Sequence, residues 1–290
     1  MSYEKFCAIL NKHIFEGEKK ELLRRIAKTP ERFIGLFRPT KPGAKVLQHL
    51  LQSHEIRMGD ALEEIIEEII RDIGFSPLPK ILQNEEGEQL SLDQYFTDGK
   101  MFYFIEQKVR DVHDSTKKRG QISNFEAKLE LLYKKHSSEL TGFMYFIDPD
   151  LVKNKNYYIM ELKRMEEFYG IKLHLFYGNQ LFEYLRRPEI WNSILDWLKT
   201  WKSSLPELPE INFDSTPAKS FEEIKDLELM HWRKIVENDK LWEEGTINAI
   251  FKNGRTLQLL YEFFISYKNT PYDKIAELLH ERLLQYYSNV

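Results

Sequence analysis

The sequence predicts an α/β fold with a mixed central sheet flanked by helices, plus a helical C-terminal region. Three observations carry this prediction. Apolar residues recur with a helical period over roughly the first 75 positions, strand-like and helical runs then alternate as far as residue 201, and helical periodicity returns beyond residue 221. The 290 residues, 42% hydrophobic and 30% charged, have a globular composition and can bury a large core.

The order of these segments predicts one main domain over residues 1–204 and a helical region over residues 221–290. Residues 205–220 lie between them and contain three prolines together with several Ser, Thr and Asp residues. Such a composition is typical of a linker between separately packed units. The C-terminal region is rich in Trp and Tyr, which are more often core residues than platforms for bases.

Cys7 is the only cysteine, which excludes an intrachain disulfide and a cysteine-based zinc site. We therefore expect a reducing compartment, the cytoplasm. The N-terminus has charges spread through it, and no window reaches the ~18 apolar residues of a membrane span, so neither export nor a membrane partner is expected. The formal net charge of -4 lacks the basic excess of many nucleic-acid binders, but basic residues can be confined to one cleft.

The sharpest helical period lies in residues 60–71, which predicts an amphipathic helix. Glu63 lies nearest the edge of its apolar stripe, whereas Glu64 and Glu68 point away and Glu67 is a poorer second choice. Glu63 is thus the carboxylate best placed to reach a site beneath the helix. The stripe consists of Leu62, Ile65, Ile66, Ile69 and Ile70.

A β-hairpin is predicted next, because two aromatic-rich runs flank an Asp-Gly pair formed by Asp98 and Gly99. If these two residues form the centre of a two-residue turn, Thr97 pairs with Lys100 and, counting outward, Asp93 pairs with Phe104. Opposed residues share a face of the sheet. The turn therefore determines which side chains Asp93 meets.

Side chains alternate along a strand, so Glu106 and Lys108 share one face, and the predicted register places Asp93 on it, about 7–8 Å from Glu106. Two carboxylates and an ammonium are costly to bury unless they are paired or hold a cation. Mg²⁺ prefers oxygen ligands and bridges to phosphate oxygens, while a nearby lysine can orient or help to deprotonate an attacking water. The pattern predicts a magnesium site for phosphodiester hydrolysis, with Glu63 as a further ligand.

A charged loop is expected over residues 111–120, followed by a helix that begins at the capping-box pattern of Ser123 and runs to about residue 135. Gln121, at the helix entrance, is placed to contact the site or a phosphate. The run from Lys117 to Arg119 could instead be only a solvated turn. The basic and hydroxyl side chains suited to phosphate contacts are Arg110, Ser115, Thr116, Lys117, Lys118 and Arg119.

The remaining elements complete the α/β succession. The almost continuous apolar run of residues 141–147 predicts a strand that is covered on both faces. A helix over residues 160–169, a strand over residues 171–177 and a helix over residues 179–201 follow, and Pro188 is expected to interrupt the last one.

These residues resemble the PD-(D/E)xK nuclease superfamily, whose ExK triplet would here be Glu106-Gln107-Lys108. The order of elements matches over residues 59–177, and the phrases IRMGDALE and EQKVRDVHDSTKKRGQ look like type II restriction endonucleases. The resemblance implies a restriction-endonuclease-like core and Mg²⁺-dependent cleavage of double-stranded DNA at a short specific sequence. It further implies a homodimer and a cognate DNA methyltransferase in the same system.

On this resemblance Asp93 is the first acid of the motif, Glu106 and Lys108 are its second half, and Asp93, Glu106 and Glu63 hold the metal. Gln121 would be the glutamine of the following helix. Asp93 follows leucine rather than proline, which leaves Asp98 as a rival, although its predicted place is the tip of the turn.

Interpretations without a catalytic function are also possible for these patterns. An ExK triplet taken alone is usually a solvated strand face, and an acidic helix face is usually just hydrated. The alternatives at the level of function are another nuclease of this fold, for repair or for particular DNA structures, and a catalytically silent DNA- or protein-binding module.

Overall fold

The computed structural model describes residues 1–35, 37–83, 87–267 and 270–288. Its helices are α1 (Tyr3–Phe15), α2 (Glu18–Lys28), α3 (Pro42–Asp72), α4 (Ser115–His136), α5 (Lys155–Tyr169), α6 (Gln180–Tyr184), α7 (Glu189–Ser203), α8 (Pro217–Ile224), α9 (Leu229–Val236), α10 (Asp239–Glu243), α11 (Thr246–Ile250), α12 (Arg255–Ile265) and α13 (Pro271–Ser288). Its strands are β1 (Ser76–Pro77), β2 (Ile81–Gln83), β3 (Gln89–Ser91), β4 (Gln94–Thr97), β5 (Phe102–Lys108), β6 (Leu140–Phe146) and β7 (Lys172–Tyr177).

Five strands form the main sheet in the order β1-β4-β5-β6-β7, and β2 pairs with β3 in a separate ribbon. β1, β4 and β5 are antiparallel neighbours, whereas β5, β6 and β7 run parallel. Every residue of β6 is buried, as its continuous apolar sequence predicts for a strand covered on both faces. The mixed sheet with flanking helices confirms the predicted α/β fold.

Contacts divide the chain into two compact units. The first unit comprises Met1–His13 and Met58–Leu205, and the second comprises Ile14–Arg57 and Pro206–Val290. The predicted division, a main domain over residues 1–204 and a helical region over residues 221–290, stays a prediction. The second unit differs from the predicted C-terminal region, because a stretch of the N-terminal half belongs to it.

The first unit packs its sheet against helices on both sides. The apolar stripe predicted on the helix that is now α3 is buried at all five positions. On the α4 and α5 side, Phe104 of β5 lies 5.0 Å from Phe125 of α4 between ring centroids, within a cluster that also holds Met144 and Leu162. This packing fixes α4 across the strand that carries Glu106.

The second unit has its own core, in which Leu22, Leu23 and Ile26 of α2 pack with Trp232 of α9 and Leu260 of α12. The amphipathic pattern of α2 predicts a helix with one apolar face. It does not predict which other helices cover that face. Residues 205–220 are not the open linker that their composition predicts. They include the start of α8, and Phe213, Asp214 and Ser220 are buried there.

One helix boundary differs from the prediction and another agrees with it. α4 begins at Ser115 because the Asp114 carboxylate caps it, accepting hydrogen bonds from the backbone N–H groups of Thr116 and Lys117. The predicted charged loop is therefore largely helix, and Ser123 lies in its interior. The interruption at Pro188 is confirmed, because α7 begins directly after that residue. None of the helices in the described part of the chain has the length and apolar character of a membrane span.

Candidate active site

The β4–β5 hairpin forms as predicted but in a different register. Thr97 pairs with Phe102 and Gln94 pairs with Ile105, so the turn holds four residues rather than two. Counted one step beyond the ladder, Asp93 comes opposite Glu106 instead of Phe104. The shift is two residues, and because the side-chain period of a strand is also two, Asp93 still faces the same way as Glu106.

Asp98 explains the longer turn. Its Oδ1 accepts hydrogen bonds from the backbone N–H groups of Lys100 and Met101 at 2.9 and 2.8 Å, and its Oδ2 accepts one from the Tyr103 hydroxyl at 3.0 Å. These bonds close a wider loop than the Asp-Gly pair indicates. Asp98, the rival of Asp93, thus caps the hairpin tip at the far end from Glu106.

Asp93 and Glu106 are joined through Lys108. The Lys108 ammonium lies 3.0 Å from Asp93 Oδ2 and 2.9 Å from Glu106 Oε1, so one cation bridges the two carboxylates. The backbone N–H of Gln107 also donates to Asp93 Oδ2 at 2.7 Å, which holds this carboxylate against β5. The three residues that the sequence predicts for the motif therefore form one contiguous cluster.

A second lysine, which the sequence analysis missed, reaches the same cluster. Lys128 Nζ lies 2.5 Å from Glu106 Oε2, and Asn124, one turn earlier on α4, donates to Oε1 at 3.4 Å. Glu106 is 2% exposed and Lys128 is 4% exposed. The helical period could have revealed Lys128, because it lies three residues after buried Phe125 and four before buried Leu132.

Glu63 of α3 borders this cluster. The backbone carbonyl of Glu63 accepts a hydrogen bond from the buried Gln94 side chain at 2.7 Å, which ties α3 to the strand that follows Asp93. Burial, with added repulsion from Asp93, raises the pKa of Glu63 to about 7. Glu67 instead pairs with Lys80 at 2.7 Å and with Arg71 at 3.1 Å.

The charge on Lys108 is set by opposing effects. Burial lowers its pKa, but the carboxylates of Glu106 and Asp93 outweigh burial, and the pKa of Lys108 lies above its ordinary value. Lys108 is therefore a cation in this arrangement.

Gln121 does not contact the carboxylates. Its amide nitrogen lies 3.1 Å from His113 Nε2, and its amide oxygen accepts a hydrogen bond from the Tyr158 hydroxyl at 2.6 Å. From the same helix it is Asn124 and Lys128 that reach Glu106. Gln121 instead supports the segment between β5 and α4.

Fully buried Asp111 anchors that segment. Its carboxylate accepts hydrogen bonds from the backbone and the side chain of Asn154 at 2.7 and 2.8 Å and from the Tyr177 hydroxyl at 3.0 Å. A buried carboxylate that is so well paired fixes its backbone firmly. The N-terminus of α4 is thereby held just beyond the end of β5.

The residues predicted to bind DNA lie on this segment. Arg110 Nε lies 3.6 Å from Asp148, and the Lys118 ammonium lies 4.5 Å from the centre of the Tyr157 ring. Exposed side chains there belong to Arg110, Ser115, Thr116, Lys117 and Arg119. All of them except Arg110 lie on the first turns of α4, which corrects the predicted loop.

The donor set of the cluster suits a hard divalent cation. Asp93, Glu106 and Glu63 offer oxygen atoms alone, and the first two already share a positive charge. Within residues 1–35, 37–83, 87–267 and 270–288, however, no three His, Cys, Asp or Glu side chains lie close enough together to hold a metal ion. The three-carboxylate ligand set therefore remains a prediction.

Comparison with known protein families identifies the family of this chain. The family described as type II restriction endonuclease, HinfI, matches residues 2–80 and 77–202, whereas a search of the curated proteins finds no match. The matched segments together span well over half of the 290 residues and include the hairpin, α3 and α4. The chain therefore belongs to the HinfI family of type II restriction endonucleases and is a type II site-specific deoxyribonuclease that binds and cleaves DNA.

Proposed function

We propose that this enzyme hydrolyses phosphodiester bonds of double-stranded DNA at a short specific sequence, in a Mg²⁺-dependent reaction at a PD-(D/E)xK site. Asp93, Glu106 and Glu63 would hold the ion. The observation that carries the proposal is the Lys108 ammonium, which lies within 3.0 Å of both the Asp93 and the Glu106 carboxylate. Two acids that share one cation are suited to share a divalent one.

Bound Mg²⁺ would supply an activated water and neutralise charge on the phosphate. The raised pKa of Lys108 favours a cationic function for this residue over that of a general base. Lys108 would orient the attacking water and offset the charge that develops on the phosphate. Glu63 would complete the oxygen set, because its carboxyl is half-buried and borders Asp93.

The first turns of α4 and the end of β5 are proposed to contact the DNA backbone. The contacting residues would be Arg110, Ser115, Thr116, Lys117, Lys118 and Arg119. Basic and hydroxyl side chains at a helix N-terminus suit phosphate oxygens. Gln121 would act indirectly, through His113, by holding this segment in place.

Cleavage of a uniform plasmid tests the reaction. Wild-type enzyme with Mg²⁺ is expected to give discrete bands, EDTA is expected to abolish them, and Lys108→Ala is expected to lower the rate at least ~100-fold because it removes a charge needed in the transition state. Lys100→Ala, at an exposed position on the same hairpin, is the matched control and should cleave like wild type.

A smear instead of bands would favour a nuclease without sequence specificity, and retention of DNA binding without any cleavage would favour a silent binding module. Wild-type rates in Lys108→Ala would contradict the assigned site.

We propose further that the enzyme acts as a homodimer, because two active sites related by a twofold axis can address the two strands of a symmetric site. Sedimentation in the presence of cognate DNA is expected to show two chains per duplex, and one chain per duplex would contradict this. A DNA methyltransferase of the same system is the proposed partner in the cell. Methylation that blocks cleavage of the mapped site would test that link.

A further inference from the structure

Lys128 is a buried cation to which the proposed reaction assigns no function. It is 4% exposed, and its ammonium lies 2.5 Å from Glu106 Oε2. Lysine is rarely so buried unless it is paired, and a buried ion pair seldom adds stability over apolar residues of similar volume. Stability alone therefore does not account for the pairing of Lys128 with Glu106.

The two oxygens of Glu106 have different partners. Oε2 accepts a hydrogen bond from Lys128, whereas Oε1 faces Lys108 at 2.9 Å. The Lys108 side chain is 32% exposed but that of Lys128 only 5%. A cation that arrives from solvent can displace Lys108 from Oε1, while Lys128 stays enclosed at Oε2.

We propose that Lys128 is a positioning residue that holds Glu106 by Oε2, so that Glu106 offers only Oε1 to the metal ion. This rests on the proposed function. A carboxylate restricted to one oxygen suits Mg²⁺, which demands near-octahedral geometry and keeps several waters, whereas Ca²⁺ accepts carboxylates through both oxygens. The amide of Asn124, which donates to Oε1, supports the same orientation from one turn earlier on α4.

Substitution of Lys128 in the full-length chain tests the proposal. Lys128→Met removes the ammonium and keeps most of the side-chain volume. Lys134→Met, at an exposed position on the same helix, is the matched control. The readouts are Mg²⁺ affinity by calorimetry, with the metal alone, and the Mg²⁺ concentration that gives half-maximal plasmid cleavage.

Lys128→Met is expected to weaken Mg²⁺ binding about 10–100-fold, as loss of a group that orients a ligand commonly does. Half-maximal cleavage should move to higher Mg²⁺ by a similar factor, with a smaller change in rate at saturating Mg²⁺. The control should match wild type. In a Glu106→Gln background the substitution is expected to have no further effect on Mg²⁺ affinity, because the two residues act through one contact.

An unchanged Mg²⁺ affinity in folded Lys128→Met would overturn the proposal even if the wild type cleaves as expected. If the wild type binds Mg²⁺ but does not cleave, the proposed function fails, whereas the calorimetry still decides the effect of Lys128. Should Lys128→Met not fold, Lys128→Gln, which keeps a hydrogen-bond donor without the charge, is judged by the same two readouts.

Discussion

At the scale of single residues, the cluster at Lys108 brings opposite charges together in a half-buried setting. Asp93 and Glu106 each keep a cationic partner within 3.0 Å, whereas Glu63 carries the cost of burial together with repulsion from Asp93. The proton affinity of Glu63 is therefore the most sensitive reporter of the charge balance in the metal-free site.

Glu63→Gln is expected to change how stability depends on pH. Because burial raises the pKa of Glu63 from 4.5 to about 7, the folded protein holds this proton more tightly than the unfolded chain. The stabilisation is complete below pH 4.5 and is lost as the pH rises through 7. Relative to wild type, the glutamine variant should gain roughly 1–2 kcal/mol over that interval, since water screens part of the shift at a half-buried carboxyl.

Urea unfolding in EDTA at several pH values measures this gain. Glu130→Gln, at an exposed position on α4, provides the comparison, for which no such gain is expected. Parallel stability curves for wild type and Glu63→Gln would show that the carboxyl is not held in a costly environment.

The sequence pattern identifies some residues of the site and not others. Spacing identified Asp93, Glu106 and Lys108, because alternation along a strand is local and regular. It did not identify Lys128, since a lysine in a helix is ordinarily assigned to solvent, and only the facing carboxylate makes its burial possible. The helical period places Lys128 on the buried face of α4, but only tertiary packing shows which carboxylate it meets.

At the scale of elements, β6 is the strand against which the site is built. It lies between β5 and β7, and side chains from both neighbouring strands lie against Gly142. A Cβ at Gly142 would lie 2.5 Å from Phe104 Cε1 and 2.8 Å from Leu173 Cδ2. The apolar run predicted the strand, but nothing in the sequence showed which neighbours would require its glycine.

Gly142→Ala is expected to destabilise the protein by roughly 1–3 kcal/mol, because rigid ring atoms must move to admit a methyl group. Gly120→Ala is the matched contrast. Gly120 lies inside α4 with no atom within 4 Å of its added Cβ, so the substitution should stabilise by about 0.5–1 kcal/mol through helix propensity. Urea midpoints that move in the same direction would contradict this account of the two sites.

Helix starts were the least predictable elements. The pattern at Ser123 has the form of a capping box, yet Asp114 caps α4 nine positions earlier. Both residues meet the local rule for a helix cap, and tertiary contacts decide between them. Asp111 is hydrogen-bonded to Asn154 and Tyr177, and these bonds hold the backbone before α4 so that the helix begins at Ser115.

At the scale of the whole molecule, the second unit is assembled from two distant stretches of chain. Leu22, Leu23 and Ile26 share a core with Trp232 and Leu260. Periodicity predicted the helices on both sides of this core. Periodicity could not predict which helices pack together, because an apolar stripe does not identify the helix that covers it.

A chain truncated after Leu205 is therefore expected to expose the apolar face of α2. It should bind the dye ANS strongly and aggregate, whereas full-length protein should do neither. Dye fluorescence and light scattering measure the difference. A truncated chain that is monodisperse, with the secondary structure expected for its length, would instead support an independent domain over residues 1–204.

The four-residue tip of the hairpin bears on how this enzyme can tolerate length changes. A two-residue shift of the strand pairing leaves Asp93 on the same face of the sheet as Glu106. A one-residue shift of the strand pairing would instead place Asp93 on the opposite face of the sheet from Glu106. Among length changes between these two acids that shift the strand pairing, only even ones keep both carboxylates on one face of the sheet.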